Sequence, residues 1–353
     1  MTGGSNKILL KGNEAAVYGA VLAGCDCYFG YPITPASEIA HTAALLFPKL
    51  GRVFLQAECE TSAINMVFGA SASGKRALTA SSGLGISLKQ EGVSYLATCE
   101  LPAVIIDIMR GGPGLGNIGP EQGDYNQVVK GGGHGNYRCV VLAPNSPQEM
   151  CDLTVLAFDL ADKYRTPVYV LTDGLVGQML ECVTLPEPIS KKSKPDWALI
   201  TGDGERNFLT SIYLEYDDLE RVNQKLQAKY SEIKKAEQRS EAFMADDAEL
   251  LLVGYGVVSR VFRTAVEKMR ASGLKVGMLR PVSLFPFPEK EIFRLGSAAG
   301  KILCVEMSNG QMVDDVRLTM NGSVPVHFYS RMGGNIPSVE EIINQSTEIL
   351  RKK

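Results

Sequence analysis

The sequence predicts an α/β protein built on parallel sheets, and three observations carry that reading. Strand-like and helix-like segments alternate through residues 1–190, the pattern that a parallel sheet with crossover helices requires. The alternation stops in a Pro-containing and then strongly charged stretch, residues 191–247, and resumes over residues 248–353. The 353 residues also exceed one ordinary domain of roughly 150 residues and suit two.

In chain order, the small-residue run 13–23 is predicted as a helix, 27–31 as a strand and 36–46 as a helix. Strands at 52–56 and 76–80 alternate with helices at 61–73 and 88–98, and 103–109 is a buried strand. A strand at 139–143, a helix at 147–164 and a strand at 168–172 repeat the pattern. Between the two α/β units, 219–243 reads as an exposed helix carrying Glu220, Arg221, Lys225, Lys229, Glu232, Lys234 and Lys235, so 191–247 is expected to be a charged helical linker. The second unit begins with a strand at 249–255 and a helix at 258–272, followed by strands at 275–279, 301–306 and 324–328.

With 45% hydrophobic and 21% charged residues, the chain can bury a core. A formal net charge of -3, with no block of Lys or Arg, gives no footprint for nucleic acid or an anionic membrane surface, and both are excluded as primary partners. No apolar run has transmembrane length. The eight cysteines contain no C-x-x-C pair and lie in apolar stretches, so they read as reduced, buried thiols and not as disulfide, zinc or cluster ligands. Any electron transfer through iron-sulfur clusters therefore needs another subunit. Leu22-Ala23-Gly24-Cys25 resembles a lipoprotein cleavage box, but Asn13 and Glu14 interrupt the approach from Lys11 and strand-like sequence follows directly. A cytoplasmic protein is expected.

Several motifs sit where chemistry is done in such folds. Tyr31-Pro32-Ile33-Thr34-Pro35 follows a strand, and its two prolines fix an extended turn around Thr34; it suits a ligand-binding strand end and a plain turn before a helix equally well. Glu58-Cys59-Glu60 places two acids at a helix start, which helix capping alone also explains. Ser81-Ser82-Gly83-Leu84-Gly85 fits both an anion-binding turn and a tight strand-to-helix turn. Arg110, followed by Gly111-Gly112-Pro113, stands at a strand end with its guanidinium sterically clear to grip a carboxylate, or is an ordinary loop arginine. Gly114-Leu115-Gly116-Asn117-Ile118-Gly119 matches G-x-G-x-x-G, but Pro120 and a polar run replace the apolar helix that a dinucleotide site needs. Gly202-Asp203-Gly204 lacks a flanking apolar strand and reads as a surface turn, not a diphosphate and magnesium motif. His41, His134 and His327 are isolated from acids and cysteines at ligand spacing, which excludes a metal centre or hydrolytic triad; His134 alone lies in a loop flexible enough for chemistry.

Taken together, Gly30-Tyr31-Pro32-Ile33-Thr34-Pro35-Ala36-Ser37-Glu38, Glu58-Cys59-Glu60, Gly85-Ile86-Ser87-Leu88-Lys89-Gln90-Glu91-Gly92 and Arg110-Gly111-Gly112-Pro113-Gly114 resemble the α subunit of 2-oxoacid:ferredoxin oxidoreductases. Asp173-Gly174, Arg280-Pro281-Val282-Ser283-Leu284-Phe285-Pro286-Phe287-Pro288 and Arg331-Met332-Gly333-Gly334 extend the likeness over nearly the whole chain. The resemblance implies a thiamine-diphosphate-binding fold, here the pyrimidine domain at 1–190, and a transketolase C-terminal-like domain at 248–353. It implies oxidative decarboxylation of a 2-oxoacid to acyl-CoA and CO2, with ferredoxin as acceptor and coenzyme A as co-substrate. A β subunit would hold the diphosphate and Mg2+, and γ/δ-type subunits the iron-sulfur clusters.

By the same resemblance, Glu60 falls on the carboxylate that pairs with the aminopyrimidine ring, with Glu58 as the neighbour that is confusable with it. Thr34 and Arg110 would bind the oxo and carboxylate ends of the substrate, and Tyr31, Pro32, Ile33, Gly83 and Gly85 would line the cofactor. Leu84 departs from the family's usual proline. Residues 110–116 look closer to the branched-chain (2-oxoisovalerate) type than to the 2-oxoglutarate type, which stands next. The rival readings are a non-catalytic scaffold subunit, against which the intact Thr34, Glu60 and Arg110 set argues, and a nicotinamide dehydrogenase using residues 114–119.

Overall fold

The structure is a computed structural model and describes residues 7–189 and 194–351. Its first part runs β1 (Lys7–Lys11), α1 (Gly12–Leu22), β2 (Cys27–Gly30), α2 (Ser37–Leu46), β3 (Val53–Gln56), α3 (Glu60–Ala72), β4 (Ala77–Ser81), α4 (Leu84–Thr98), β5 (Ala103–Met109), α5 (Tyr125–Val129), β6 (Val140–Leu142), α6 (Pro147–Tyr164), β7 (Pro167–Asp173), α7 (Gly174–Gln178) and β8 (Leu180–Thr184). Next come α8 (Tyr216–Ala236), β9 (Ser240–Phe243), β10 (Leu250–Val253), α9 (Val257–Ala271), β11 (Val276–Pro281), β12 (Ser283–Phe285), α10 (Glu289–Ala299), β13 (Ile302–Glu306), α11 (Met312–Met320), β14 (Val326–Ser330) and α12 (Val339–Arg351).

Two large sheets organise these elements. One has seven strands in the order β12-β6-β7-β5-β4-β2-β3, parallel except for β12; the other has five in the order β14-β13-β10-β11-β9, parallel except for β9. Helices cover both faces of the central strands, which is why β4, β5 and β7 are buried at every position and read as continuous apolar runs instead of alternating ones. The small residues of α1 have a packing cause. A methyl group on Gly19 would enter the backbone of Cys151, so glycine lets α1 lie directly on α6. Cys25 is fully buried just beyond α1. All eight cysteines are free thiols, and among the described residues no helix is long and apolar enough to cross a membrane.

Two sequence expectations are corrected. The helix expected over residues 219–243 ends at Ala236, and Ser240–Phe243 pairs antiparallel with β11. Nor is α8 an exposed arm: Leu226, Tyr230 and Ile233, spaced four and three apart, form a buried stripe, while Lys225 and Lys229 pair with Glu100. The second correction concerns Ser283–Phe285, which leaves the second unit and pairs antiparallel with β6 at the edge of the first sheet. Near the end of β11, just before this crossing, Arg280, 2% exposed, makes a two-pronged contact with Glu149 and a further one with Glu241. The boundary expected between residues 190 and 191 lies outside the described residues.

Candidate functional site

The carboxyl ends of parallel strands are where open α/β sheets leave room for ligands. In the seven-stranded sheet these ends lead into residues 31–35 after β2, 57–60 after β3, 82–85 after β4 and 110–114 after β5. Topology thus collects four motifs from distant parts of the sequence along one rim.

Glu58 and Glu60 take opposite environments. Glu58 is exposed and accepts a hydrogen bond from Ser62 Oγ at 2.8 Å, while Cys59 caps α3 by accepting from the Ser62 N–H. Glu60 is 5% exposed and turns inward against the first turn of α4. The contact exists because residue 85 is glycine: a methyl group there would stand 2.6 Å from Glu60 Oε1 and closer still to Ser81 Oγ. Glycine thus lets the Glu60 carboxylate and the buried Ser81 hydroxyl, which has no hydrogen-bond partner, pack directly against the α4 backbone. Gly83 precedes α4 with φ +49°, in the left-handed region that a side chain would strain.

Arg110 leaves β5 half-buried. Its Nη1 donates to the Thr34 carbonyl at 2.9 Å and its Nη2 to the Leu115 carbonyl at 3.0 Å, so the fold brings Arg110 and Thr34 together. Tyr31, Pro32 and Thr34 are exposed and Ile33 is half-buried. Arg110 also lines a cleft of about 840 Å³ between the two units, with Gly83, Leu84, Pro113, Glu121 and Asp124 on one side and Ser308, Gln311 and Met332 on the other. Glu60 and Thr34 do not line this cleft.

The polar run after the glycines, which sequence reasoning passed over, joins the two units. Glu121 accepts hydrogen bonds from the Gly112 and Gly333 N–H groups, at 2.6 and 2.7 Å. Gln122 is fully buried; its Nε2 donates to the Tyr255 carbonyl and its Oε1 accepts from Met307 N–H. The Gly114 to Gly119 run is thereby explained without a nucleotide. Asn117 N–H bonds the Gly111 carbonyl, Gly111 N–H bonds the Gly119 carbonyl, and a methyl group on Gly119 would stand 2.8 Å from the Gly334 Cα. No helix begins until Tyr125. His134 is exposed and absent from the cleft. Gly202-Asp203-Gly204 is the expected turn, with the Asp203 carboxylate accepting from the Thr201 hydroxyl and the Glu205 N–H.

Three buried ionisable groups also escaped the sequence reading. Asp107 is fully buried in β5, and burial, reinforced by neighbouring Asp124, pushes its carboxyl well above the usual range. Asp124, which lines the cleft, is raised to about 6, chiefly by burial and against the hydrogen bonds it receives from Gln127 and the Gly83 N–H. Lys89 has no exposed surface. A signal for Asp107 was available, since a lone acid interrupts an otherwise apolar strand.

A buried carboxylate beside a hydroxyl without a partner suits the polar edge of a heteroaromatic ring, so Glu60 and Ser81 fit the pyrimidine end of thiamine diphosphate. Among the described residues there is no group of three His, Cys, Asp or Glu that could hold a metal ion.

Comparison with known proteins gives the chain a thiamine-diphosphate-binding family. Residues 18–242 match the family described as pyruvate flavodoxin/ferredoxin oxidoreductase, thiamine diphosphate-binding, and residues 248–342 match pyruvate:ferredoxin oxidoreductase core domain II. A ketoisovalerate oxidoreductase subunit VorB from Methanothermobacter thermautotrophicus is 57% identical over 97% of both chains. The 2-oxoglutarate synthase subunit KorA of the same organism is 36% identical over 98% of this chain and 100% of its own. Among solved structures, the 2-oxoglutarate:ferredoxin oxidoreductase of Magnetococcus marinus, with 2-oxoglutarate, coenzyme A and succinyl-CoA bound, superposes with a TM-score of 0.89 at 28% identity over 98% of this chain. This chain spans 66% of that one. A split-gene transketolase, at 12% identity and a TM-score of 0.58, shares the fold alone. The chain belongs to the thiamine-diphosphate-binding subunits of the 2-oxoacid:ferredoxin oxidoreductase family.

Proposed function

We propose that this chain is the α subunit of a cytoplasmic 2-oxoacid:ferredoxin oxidoreductase that converts a branched-chain 2-oxoacid, 2-oxoisovalerate, to its acyl-CoA and CO2. The observation that carries the proposal is the buried Glu60 carboxylate, packed against Gly85 beside the Ser81 hydroxyl that has no partner. Thiamine diphosphate, when bound, supplies the carbon that attacks the oxo group and the electron sink for decarboxylation. Glu60 would accept a hydrogen bond from the ring in a site that burial keeps dry, and Tyr31, Pro32, Ile33, Gly83 and Gly85 would line the cofactor. Thr34 would meet the oxo group. Arg110, steadied by two backbone carbonyls, would present a fixed cation to the substrate carboxylate.

The cleft favours a branched-chain monocarboxylate. Arg110 is the cation among its lining residues, Glu121 and Asp124 are acids, and Leu84, Pro113 and Met332 are apolar. An apolar substrate tail suits this lining, whereas the second carboxylate of 2-oxoglutarate would meet like charge. The greater identity to the ketoisovalerate relative, 57% against 36%, points the same way.

We infer that a β subunit holds the diphosphate and Mg2+ and that γ/δ-type subunits carry iron-sulfur clusters to ferredoxin. The relatives are named as subunits, and Leu45, Leu50, Val53 and Leu55 leave an exposed apolar edge around α2 and β3 that suits a partner. The test is co-expression with candidate partners and coenzyme-A-dependent viologen reduction with 2-oxoisovalerate, 2-oxoglutarate, pyruvate and indolepyruvate. Preferential turnover of 2-oxoisovalerate is expected, with Glu60→Gln losing at least about 100-fold in kcat while still assembling. No reduction by a complex carrying cofactor and clusters would return the scaffold reading; preference for 2-oxoglutarate would overturn the substrate assignment.

A further inference from the structure

Lys89 is fully buried, and its Nζ has no hydrogen-bond partner. An ammonium held dry and unpaired is strongly disfavoured, so its surroundings must account for it. Gly85, Lys89 and Gly92 are spaced four and three apart on α4 and share one face. That face is turned to α3: a methyl group on Gly85 would collide with Glu60, and one on Gly92 would stand 2.6 Å from Ile64 Cγ2. Glu60 and Ile64 are themselves one turn apart on α3, so Lys89 lies between two layers of the same contact. Side chains on a helix lean towards its N-terminus, which carries the Lys89 ammonium back over Gly85 towards the Glu60 carboxylate.

We propose that Lys89 is a positioning residue for Glu60, its buried ammonium supplying the counter-charge that fixes the Glu60 carboxylate beside Gly85, where it would meet the cofactor's ring. The proposal rests on the role given to Glu60 above. The ionisable groups acting on Lys89 are Glu60 and the Cys59 thiol, both from the start of α3, and the hydroxyls of Ser81 and Ser82 at the end of β4 are uncharged. Burial lowers Lys89 to about 8, against the opposing pull of Glu60 and then Cys59. The counter-charge is therefore present below about 8 and withdrawn above it.

The experiment uses the assembled complex with Lys89→Met and Lys89→Arg, measuring thiamine diphosphate affinity by equilibrium dialysis and kcat from pH 6 to 9.5. Wild type should lose both as pH rises through about 8. Lys89→Met, which keeps most of the length and removes the charge, should bind the cofactor about tenfold more weakly at pH 7, with no fall near 8. Lys89→Arg, charged throughout, should displace the fall upward by at least about one pH unit. If Lys89→Met does not assemble, the Lys89→Arg displacement still decides. A Lys89→Met complex that keeps the wild-type fall, or a Lys89→Arg complex whose fall is not displaced, would overturn the proposal. A wild-type complex that neither binds thiamine diphosphate nor turns over any acid would instead sink the functional reading beneath it.

Discussion

Replacing Gly85 by alanine tests the close packing of Glu60 on α4 with one methyl group. The new carbon would stand 2.6 Å from Glu60 Oε1, where ordinary contact begins at 3.4 Å, so the carboxylate must retreat by about 0.8 Å. Ser81 Oγ is crowded more closely but has no hydrogen bond to lose and can rotate aside. Overpacking of this kind costs about 1–3 kcal/mol, and Gly→Ala in a helix returns about 1 kcal/mol, so the variant should melt within a few degrees of wild type. The functional effect should be far larger, because a displacement of about 1 Å in a reacting site costs on the order of 100-fold in rate. Thiamine diphosphate affinity by dialysis and kcat in the assembled complex give the answer. Wild-type affinity and rate in Gly85→Ala would show that the Glu60 carboxylate does not need this position, and the cofactor role given to it would fall.

Two further substitutions probe the frame. Arg280→Met should destabilise the chain by about 3 kcal/mol, the lower part of the range for breaking a buried ion pair because Glu149 and Glu241 reach solvent; a melting temperature within about a degree of wild type would contradict this. Asp124→Asn should gain stability relative to wild type as pH rises. The Asp124 carboxyl is raised from 3.8 to about 6 in the folded chain, so its contribution is complete below 3.8 and lost as pH climbs through 6. A shift of about two units corresponds to about 3 kcal/mol, and the gap between variant and wild type should widen by about that much between pH 4 and pH 7 in denaturant titrations. A constant gap would refute the burial argument.

What the sequence made legible is what local chemistry determines. β5 was read at its observed bounds because an apolar run stands between Pro102 and a glycine pair, and α6 because Ser146 and Pro147 mark its start, where the Ser146 hydroxyl accepts from Glu149 N–H. The start of α4 was placed four residues late, since Gly83 and Gly85 look like loop; Gly83 only sets the turn, and Gly85 makes space for Glu60. β12 was invisible because its partner, β6, lies some 140 residues earlier in the chain. Glu58 and Glu60 were inseparable by pattern, differing only in which side of the α3 start each faces. Lys89, flanked by Gln90 and Glu91, reads as part of a solvated face, and its burial appears only once α3 is packed against α4.

The route of the chain between the sheets has a mechanical consequence. After β11 in the second sheet it crosses to add β12 to the first, then returns with α10 and β13 to the second. Hinged swinging of one unit away from the other would have to unzip β12 from β6 and pull Gln122 out of its bonds to Tyr255 and Met307. Both links resist that swing, so a ligand that enters the cleft, which Pro113 and Met332 help to line, meets walls already held at their spacing.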